Sequence, residues 1–391
     1  MMDFAFFQDI LSVDSTSGQE RALSDLLCAR LPGLCPGARL ERFEVGDGTE
    51  NLLLSWGTPQ VVFCTHLDTV PPYIAPSFLD ASGAPALSPA VAPSLDAAEA
   101  SSAAWRPSVV ADGAKGAAGG PCSQAGAVAE VRGRGACDAK GQIFAMLSAC
   151  RTLAAQGRTG FGLLLLSGEE TGSWGAKAFS KVGFRAPWLI VGEPTDGKMV
   201  SASKGTLSYD LHFTGVPFHS GYPEYGRSAV ELFTDFMVEL EYTDFPKDKL
   251  LGATTWNVGL LRSDNPQNIL SPALDCRLYF RTTFASHAFV QKYMEGCRDR
   301  HLAGPERGAG ACRMSATPRG GDEPAVYCTL DGFPSGVVAF GSDAPHLSGF
   351  ANKIICGPGS IRVAHRDDER ITAAELERAA EQYVRMFEAI S

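Results

Sequence analysis

Short apolar runs recur along the chain, and several stop abruptly at polar residues. The stretches VVFCTHLDTV (61–70), FGLLLLSGEETGS (161–173), APWLIVGEPTD (186–196), GVVAFGSDAP (336–345) and KIICGPGS (353–360) share this design. Brief runs of β-branched and aliphatic residues predict buried strands. RLERFEV (39–45) and NLLLSW (51–56) add two more. Helical spacing marks QIFAMLSACRTLAAQ (142–156) and the amphipathic TAAELERAAEQYVRMFEAI (372–390). In STSGQE, Ser17 followed by Glu20 predicts a capping box that opens a helix through RALSDLLCARL. Apolar strands alternating with helices predict an α/β fold, a mixed sheet with helices on both faces. Ligand crevices in such sheets lie where the strands end.

The pattern changes in the middle of the chain. GTLSYDLHFTG (205–215), TTWNVGLLRS (254–263) and LDCRLYFRTT (274–283) alternate like half-exposed strands. SAVELFTDFMVELEYT (228–243) and SHAFVQKYMEGCRDR (286–300) have helical spacing. This β-α-β-β-α order predicts a smaller α+β domain at 203–315, inserted between two parts of a larger one at 1–202 and 316–391. The segment HLAGPERGAGACRMSATPRGGDEP (301–324) reads as a loop. A tract at about 77–130, rich in Ala, Pro, Ser and Gly, reads as a poorly structured surface insertion.

Composition narrows the functional classes. The 391 residues, 45% hydrophobic and 20% charged, are ordinary for a globular protein of two domains. A net charge of −10 argues against nucleic acid or an anionic membrane as a partner. No apolar run approaches a membrane span, and the opening MMDFAFFQDI lacks the pattern of a secretory signal. The 11 cysteines include no C-x-x-C pair, which predicts reduced, buried thiols in a cytoplasmic protein.

The chemistry gathers at the ends of the apolar runs. His66 and Asp68 leave one strand on the same side. Asp138, Glu169, Glu170, Glu193 and His365 stand at comparable places in other runs. Five carboxylates converging on one crevice would repel unless cations lay among them. Two imidazoles with oxygen ligands suit zinc, and two ions roughly 3.5–4 Å apart could share them.

The motifs THLDTVP, GRGACDAKG, SGEETGS, GEPTD and the late AH of GPGSIRVAHRDDE resemble, in order, those of the M20 family of dinuclear zinc amidohydrolases and peptidases. The resemblance is nearest to the acetylornithine deacetylase and succinyl-diaminopimelate desuccinylase branch. It implies a zinc-peptidase-like catalytic domain with an inserted lid and dimerisation domain. It also implies two zinc ions per chain, with cobalt a possible substitute. His66 and Glu193 would bind one ion, Glu170 and His365 the other, and Asp138 would bridge them. Asp68 would orient His66, and Glu169 would be the general base. His219, in GVPFHSGYP, would steady the oxyanion, often from a dimer partner. Asn268 and Arg281 would contact the substrate, Arg281 gripping its carboxylate. Ser342 and Gly357 would line the pocket.

The implied activity is hydrolysis of an N-acyl amino acid, with N-acetylornithine the leading substrate. A carboxypeptidase or dipeptidase is the nearest alternative, and a non-catalytic amino-acid binder the alternative of another class. The sequence departs from the family in the long gap between His66 and Asp138, which the Ala/Pro-rich tract fills. A tract that disturbed the chain there would weaken metal binding.

Overall fold

The computed structural model describes residues 2–88, 127–305 and 311–391. The chain forms two compact units. One comprises Met1–Met199, Cys328–Ser335 and Ser342–Ser391; the other comprises Val200–Tyr327 and Gly336–Gly341.

The larger unit is built on a six-stranded mixed sheet. Its order is Arg39–Gly46, Thr49–Trp56, Phe161–Leu166, Val61–His66, Ala186–Val191 and Phe350–Ile355. The last four strands run parallel to one another, while Thr49–Trp56 pairs antiparallel with both Arg39–Gly46 and Phe161–Leu166. Every residue of Val61–His66 and Phe161–Leu166 is buried, so both faces of the sheet are covered. This is why these strands read as continuous rather than alternating runs. The helices Phe4–Leu11, Lys140–Ala155 and Ala373–Ile390 pack into one core with the sheet, in which Phe7 stacks on Phe144 at 4.6 Å. Thr372 and Glu375 close a capping box at the start of the last helix.

A second, three-stranded sheet joins Ser77–Leu79, Glu130–Arg132 and Arg370–Thr372, all antiparallel. It corrects part of the insertion reading. The edges of the Ala/Pro-rich tract are ordered, because Phe78 and Val131 pair across this sheet and are buried. The central part of the expected insertion, 89–126, lies outside the described residues.

The smaller unit has a five-stranded antiparallel sheet in the order Thr255–Arg262, Ala273–Thr282, Gly205–Thr214, Cys312–Gly320 and Asp299–Leu302. Its helices Ala229–Glu241 and His287–Gly296 cover one face, with Phe213, Phe236, Leu278, Phe280 and Met294 in the core between. Two expectations change here. The segment 301–324 contains strands rather than a loop. Cys312, Met314 and Ala316 alternate inward, a pattern that the surrounding glycines and prolines obscure. This carries the smaller unit's sheet past residue 315. GVVAFGSDAP yields only the short strand Ser335–Val338, outside the six-stranded sheet. Its residues are not fully buried, and it pairs in a small sheet with Met199–Ser203.

Among the described residues ten cysteines are free, and most are buried. No described helix is long and apolar enough to cross a membrane.

Candidate metal centre

The parallel strands Val61–His66, Phe161–Leu166, Ala186–Val191 and Phe350–Ile355 end on one edge of the sheet. His66 is the last residue of its strand; Glu169–Glu170, Glu193 and His365 follow the other three. Asp138 arrives from the turn before the helix Lys140–Ala155. The sequence separation of 72 between His66 and Asp138 does not part them, since His66 Nε2 lies 3.1 Å from Asp138 Oδ1.

Asp138 is the hub. Its Oδ1 faces His66, and its Oδ2 lies 3.4 Å from His365 Nε2. That same His365 nitrogen is 2.9 Å from Glu170 Oε1. The ligand atoms of His66, Asp138 and Glu170 all lie within 4.8 Å of one another. Burial alone would push the His66 pKa down, but hydrogen bonds with Asp138 and Asp68, and their charges, hold it well above normal. The Asp138 and Glu170 carboxylates raise His365 to about 10. For Asp138, burial would raise the pKa, but the two imidazoles outweigh it and hold the carboxyl far below its usual range.

The remaining acids lack such relief. Glu193 is buried, and its Oε1 has no hydrogen-bond partner. Burial, then Glu169 and Asp138, push its pKa well up. Glu169 is half-buried, and its pKa is also pushed well up by desolvation, with Asp343, Glu170 and Asp68 adding to it against His66. An orphaned buried carboxylate is costly. An arrangement of several acids and two imidazoles, one carboxylate presenting each oxygen to a different imidazole, fits two divalent cations.

Asp68 is fully buried and knits the site together. It receives the backbone N–H of Glu169 at 3.0 Å, that of Glu170 at 3.1 Å and the Ser17 hydroxyl at 2.8 Å. Its Oδ1 is 3.3 Å from His66 Nδ1, and its carbonyl is 2.9 Å from the same nitrogen. Such contacts fix ring orientation and tautomer. The capping-box reading of Ser17 and Glu20 fails here. The helix Arg21–Leu34 has no side-chain cap bond, because both side chains serve the site instead. Glu20 Oε1 accepts the N–H of Gly168, just before Glu169. Ser15 and Ser17 continue the brace with bonds to Leu67 and Thr69.

The other site candidates lie as follows. Ser342 is buried and accepts the Ala344 N–H at 3.3 Å. Gly357 is tightly packed: a Cβ there would meet Gln142 Oε1 at 2.2 Å and the Glu193 carbonyl at 2.6 Å. Within the smaller unit, His219 and Asn268 are exposed and brought onto adjoining segments. Ser220 N donates to the Asn268 carbonyl at 2.9 Å, and His219 bridges Ile269. Arg281 forms no ion pair among the described residues, and its guanidinium lies 5.0 Å from the Tyr279 ring centre. His212 pairs with exposed Asp275, and His287 bonds Thr282.

Sequence reasoning missed Asp343, Arg134 and Glu369. Asp343 is buried with Oδ1 unpartnered, and burial raises its pKa to about 6. It follows Ser342 in GVVAFGSDAP, and only the serine of that pair is expected in the pocket from the motifs. Glu369 was legible only as the end of HRDDE.

The description "Peptidase family M20/M25/M40" matches residues 119–297. A peptidase M20 domain-containing protein of Schizosaccharomyces pombe is 28% identical over 97% of this chain and 82% of its own. A protein of Aspergillus oryzae named as a probable carboxypeptidase is 27% identical over 98% of this chain and 86% of its own. Among solved structures, a tripeptidase of Staphylococcus aureus superposes with a TM-score of 0.71 at 16% identity, covering 100% of this chain and 99% of that one. An M20 family metallo-carboxypeptidase of Sulfolobus solfataricus gives 0.65 at 14% identity, with coverage of 100% and 99%.

Proposed function

We propose that this chain, which belongs to the peptidase M20 family, is a metal-dependent hydrolase of a small peptide-like amide, acting as a carboxypeptidase or dipeptidase. The observation that supports this best is Asp138 set between His66 and His365, with one oxygen toward each imidazole. The curated relatives reported above carry M20 and carboxypeptidase names. They turn the reading away from N-acetylornithine, the substrate expected from the motifs, for which no observation here speaks.

His66, Asp138, Glu170, Glu193 and His365 would hold two ions, zinc by the oxygen-and-imidazole donor set, with cobalt able to substitute. Metal bound there would supply Lewis acidity, making water a better nucleophile at neutral pH and the amide carbon a better electrophile. Glu169, fixed through its own N–H by Asp68, would accept the proton of the attacking water and return it to the leaving amine. His219 Nδ1 accepts the Gly221 N–H at 3.1 Å. That bond places the neutral ring's proton on Nε2, leaving an exposed N–H suited to an oxyanion. Arg281, without an ion-pair partner among the described residues, would grip the substrate carboxylate, with Asn268 beside it in the role. Ser342 and Gly357 would shape the pocket wall, and a second copy would associate through the smaller unit.

The test is a release assay with zinc over dipeptides, their C-terminally amidated forms, and N-acetyl amino acids including N-acetylornithine. The expected result is cleavage of free dipeptides and loss of cleavage on amidation. Cleavage of N-acetyl amino acids alone would overturn the peptidase reading, and no cleavage of any substrate would overturn the hydrolase reading.

A further inference from the structure

We propose that Arg134 and Glu369 form a buried clamp that positions Asp138 against His66 and His365, and so sets how tightly the metal pair is held. The inference rests on the metal-centre reading above. Both side chains are essentially inaccessible, 1% and 0% exposed, and Arg134 Nη1 donates to Glu369 Oε2 at 2.7 Å. The other oxygen of Glu369 accepts two successive backbone N–H groups, from Cys137 at 2.9 Å and from Asp138 itself at 3.0 Å. Two N–H groups held by one charged acceptor fix the peptide plane from which the Asp138 side chain springs.

Arg134 extends the clamp to two other segments of the site. Its Nε donates to the Pro72 carbonyl at 3.2 Å, in the segment that follows Asp68. Its Nη1 also reaches the carbonyl of Arg366 at 3.2 Å, the residue next to His365. Main-chain bonds from Gly133 to Glu369 and from Arg134 to Ile74 run alongside. One guanidinium therefore ties together the three segments that carry His66, Asp138 and His365. A planar, multiply donating cation suits this task.

Stability alone does not call for the pair. A buried ion pair loses in desolvation much of what it gains in attraction, and apolar residues of similar volume often serve folding equally well. The side-chain bonds of this pair to Cys137, Asp138 and Arg366 end at or next to a metal-binding residue, and the bond to Pro72 ends in the segment after Asp68, which is the pattern of outer partners that tune a metal site. The pairing of Ser77–Leu79 with Glu130–Arg132 delivers the backbone to this point, and Arg134 then sets the register of Asp138.

The test uses the full chain stripped of metal and titrated with zinc chloride in a calorimeter, with melting of the metal-free protein measured in parallel. Arg134→Lys keeps the charge but loses the fork, and Glu369→Asp keeps the charge but shortens the reach. Both are expected to weaken zinc binding by about 10- to 100-fold, with the metal-free melting of at least one close to that of the parent. Wild-type zinc affinity and stoichiometry in either folded variant would overturn the clamp. So would a failure of both variants to fold, which would make the pair a structural element alone. A parent chain that binds no zinc would instead overturn the metal-centre reading, and the clamp with it.

Discussion

The hydroxyl of Ser17 donates to Asp68 Oδ2 across 2.8 Å, linking the start of the chain to the acid that holds both His66 and the Glu169–Glu170 backbone. The bond is charge-assisted and part-buried, so it is among the stronger kind. Its loss would free Asp68 to shift and carry the backbone of Glu169 with it. Ser17→Ala is expected to lower kcat by about tenfold, the equivalent of about 1.4 kcal/mol, with KM and zinc content near those of the parent. Steady-state kinetics beside metal analysis checks this. A fall in melting temperature with kcat unchanged would make the bond purely structural.

Glu169 stands one residue from Glu170, yet only Glu170 lies within reach of the His66–Asp138 pair as a metal-binding group. The two neighbours should separate cleanly on substitution. Glu169→Gln is expected to cost about 100- to 10,000-fold in kcat while the protein still loads its metal. Glu170→Gln should cost metal first. Zinc content by elemental analysis distinguishes the two; loss of zinc from Glu169→Gln would recast Glu169 as a ligand.

Much of this site could be read from the chain because its chemistry breaks local rules. His66, Glu169, Glu170 and Glu193 interrupt or follow runs that burial alone would make apolar, so each stands out against its neighbours. The helices and parallel strands were legible for the same reason of pattern. What stayed hidden depends on long-range partners. Ser17 and Glu20 have the spacing of a capping box, and nothing local says that their side chains turn instead to Asp68 and Gly168. Arg134 and Glu369 are charged residues in Gly- and Asp-rich turns, where solvent exposure is the natural expectation; only folding buries them together. The strand Cys312–Gly320 was hidden by Pro318 and the glycines about it, yet it pairs fully as far as Pro318.

Asp343 offers a test in the metal-free protein. Burial raises its pKa to about 6, above an unfolded value of about 4, so the folded state holds its proton more tightly. The stability this contributes is full below about pH 4 and is lost as pH rises through about 6. Above that, a buried anion with one oxygen unpartnered sits near Asp68 and His66. Asp343→Asn should therefore leave stability at pH 4 little changed and raise it at pH 7 by on the order of 1–3 kcal/mol. Thermal melts of the metal-free protein from pH 4 to 7 measure this. Parallel curves for parent and variant would remove Asp343 from the buried-acid group. Zinc loading should shrink the difference, because cations then offset the charge.

Metal uptake should be coupled to protons with a definite sign. In the metal-free protein the carboxylates of Asp138 and Glu170 raise His365 to about 10, and His66 is likewise held well above normal, so both rings are cationic at pH 7. Their folded pKa values exceed the unfolded one. The stability they confer on the metal-free protein is thus present below about pH 6.5 and is lost as pH rises toward 10. Half of the His365 side chain is exposed, so solvent screening reduces its share. A metal ion needs the neutral imidazole and must expel these protons. Loading at pH 7 should therefore release up to about two protons per chain, and zinc affinity should climb between pH 6.5 and 8.5 rather than stay level. Calorimetric titration in buffers of different ionisation heat counts the protons directly. His365→Gln should remove about one of them and weaken binding. A pH-independent affinity with no proton release would mean that zinc binds without displacing the histidine–carboxylate contacts, and the five-residue metal centre would fall.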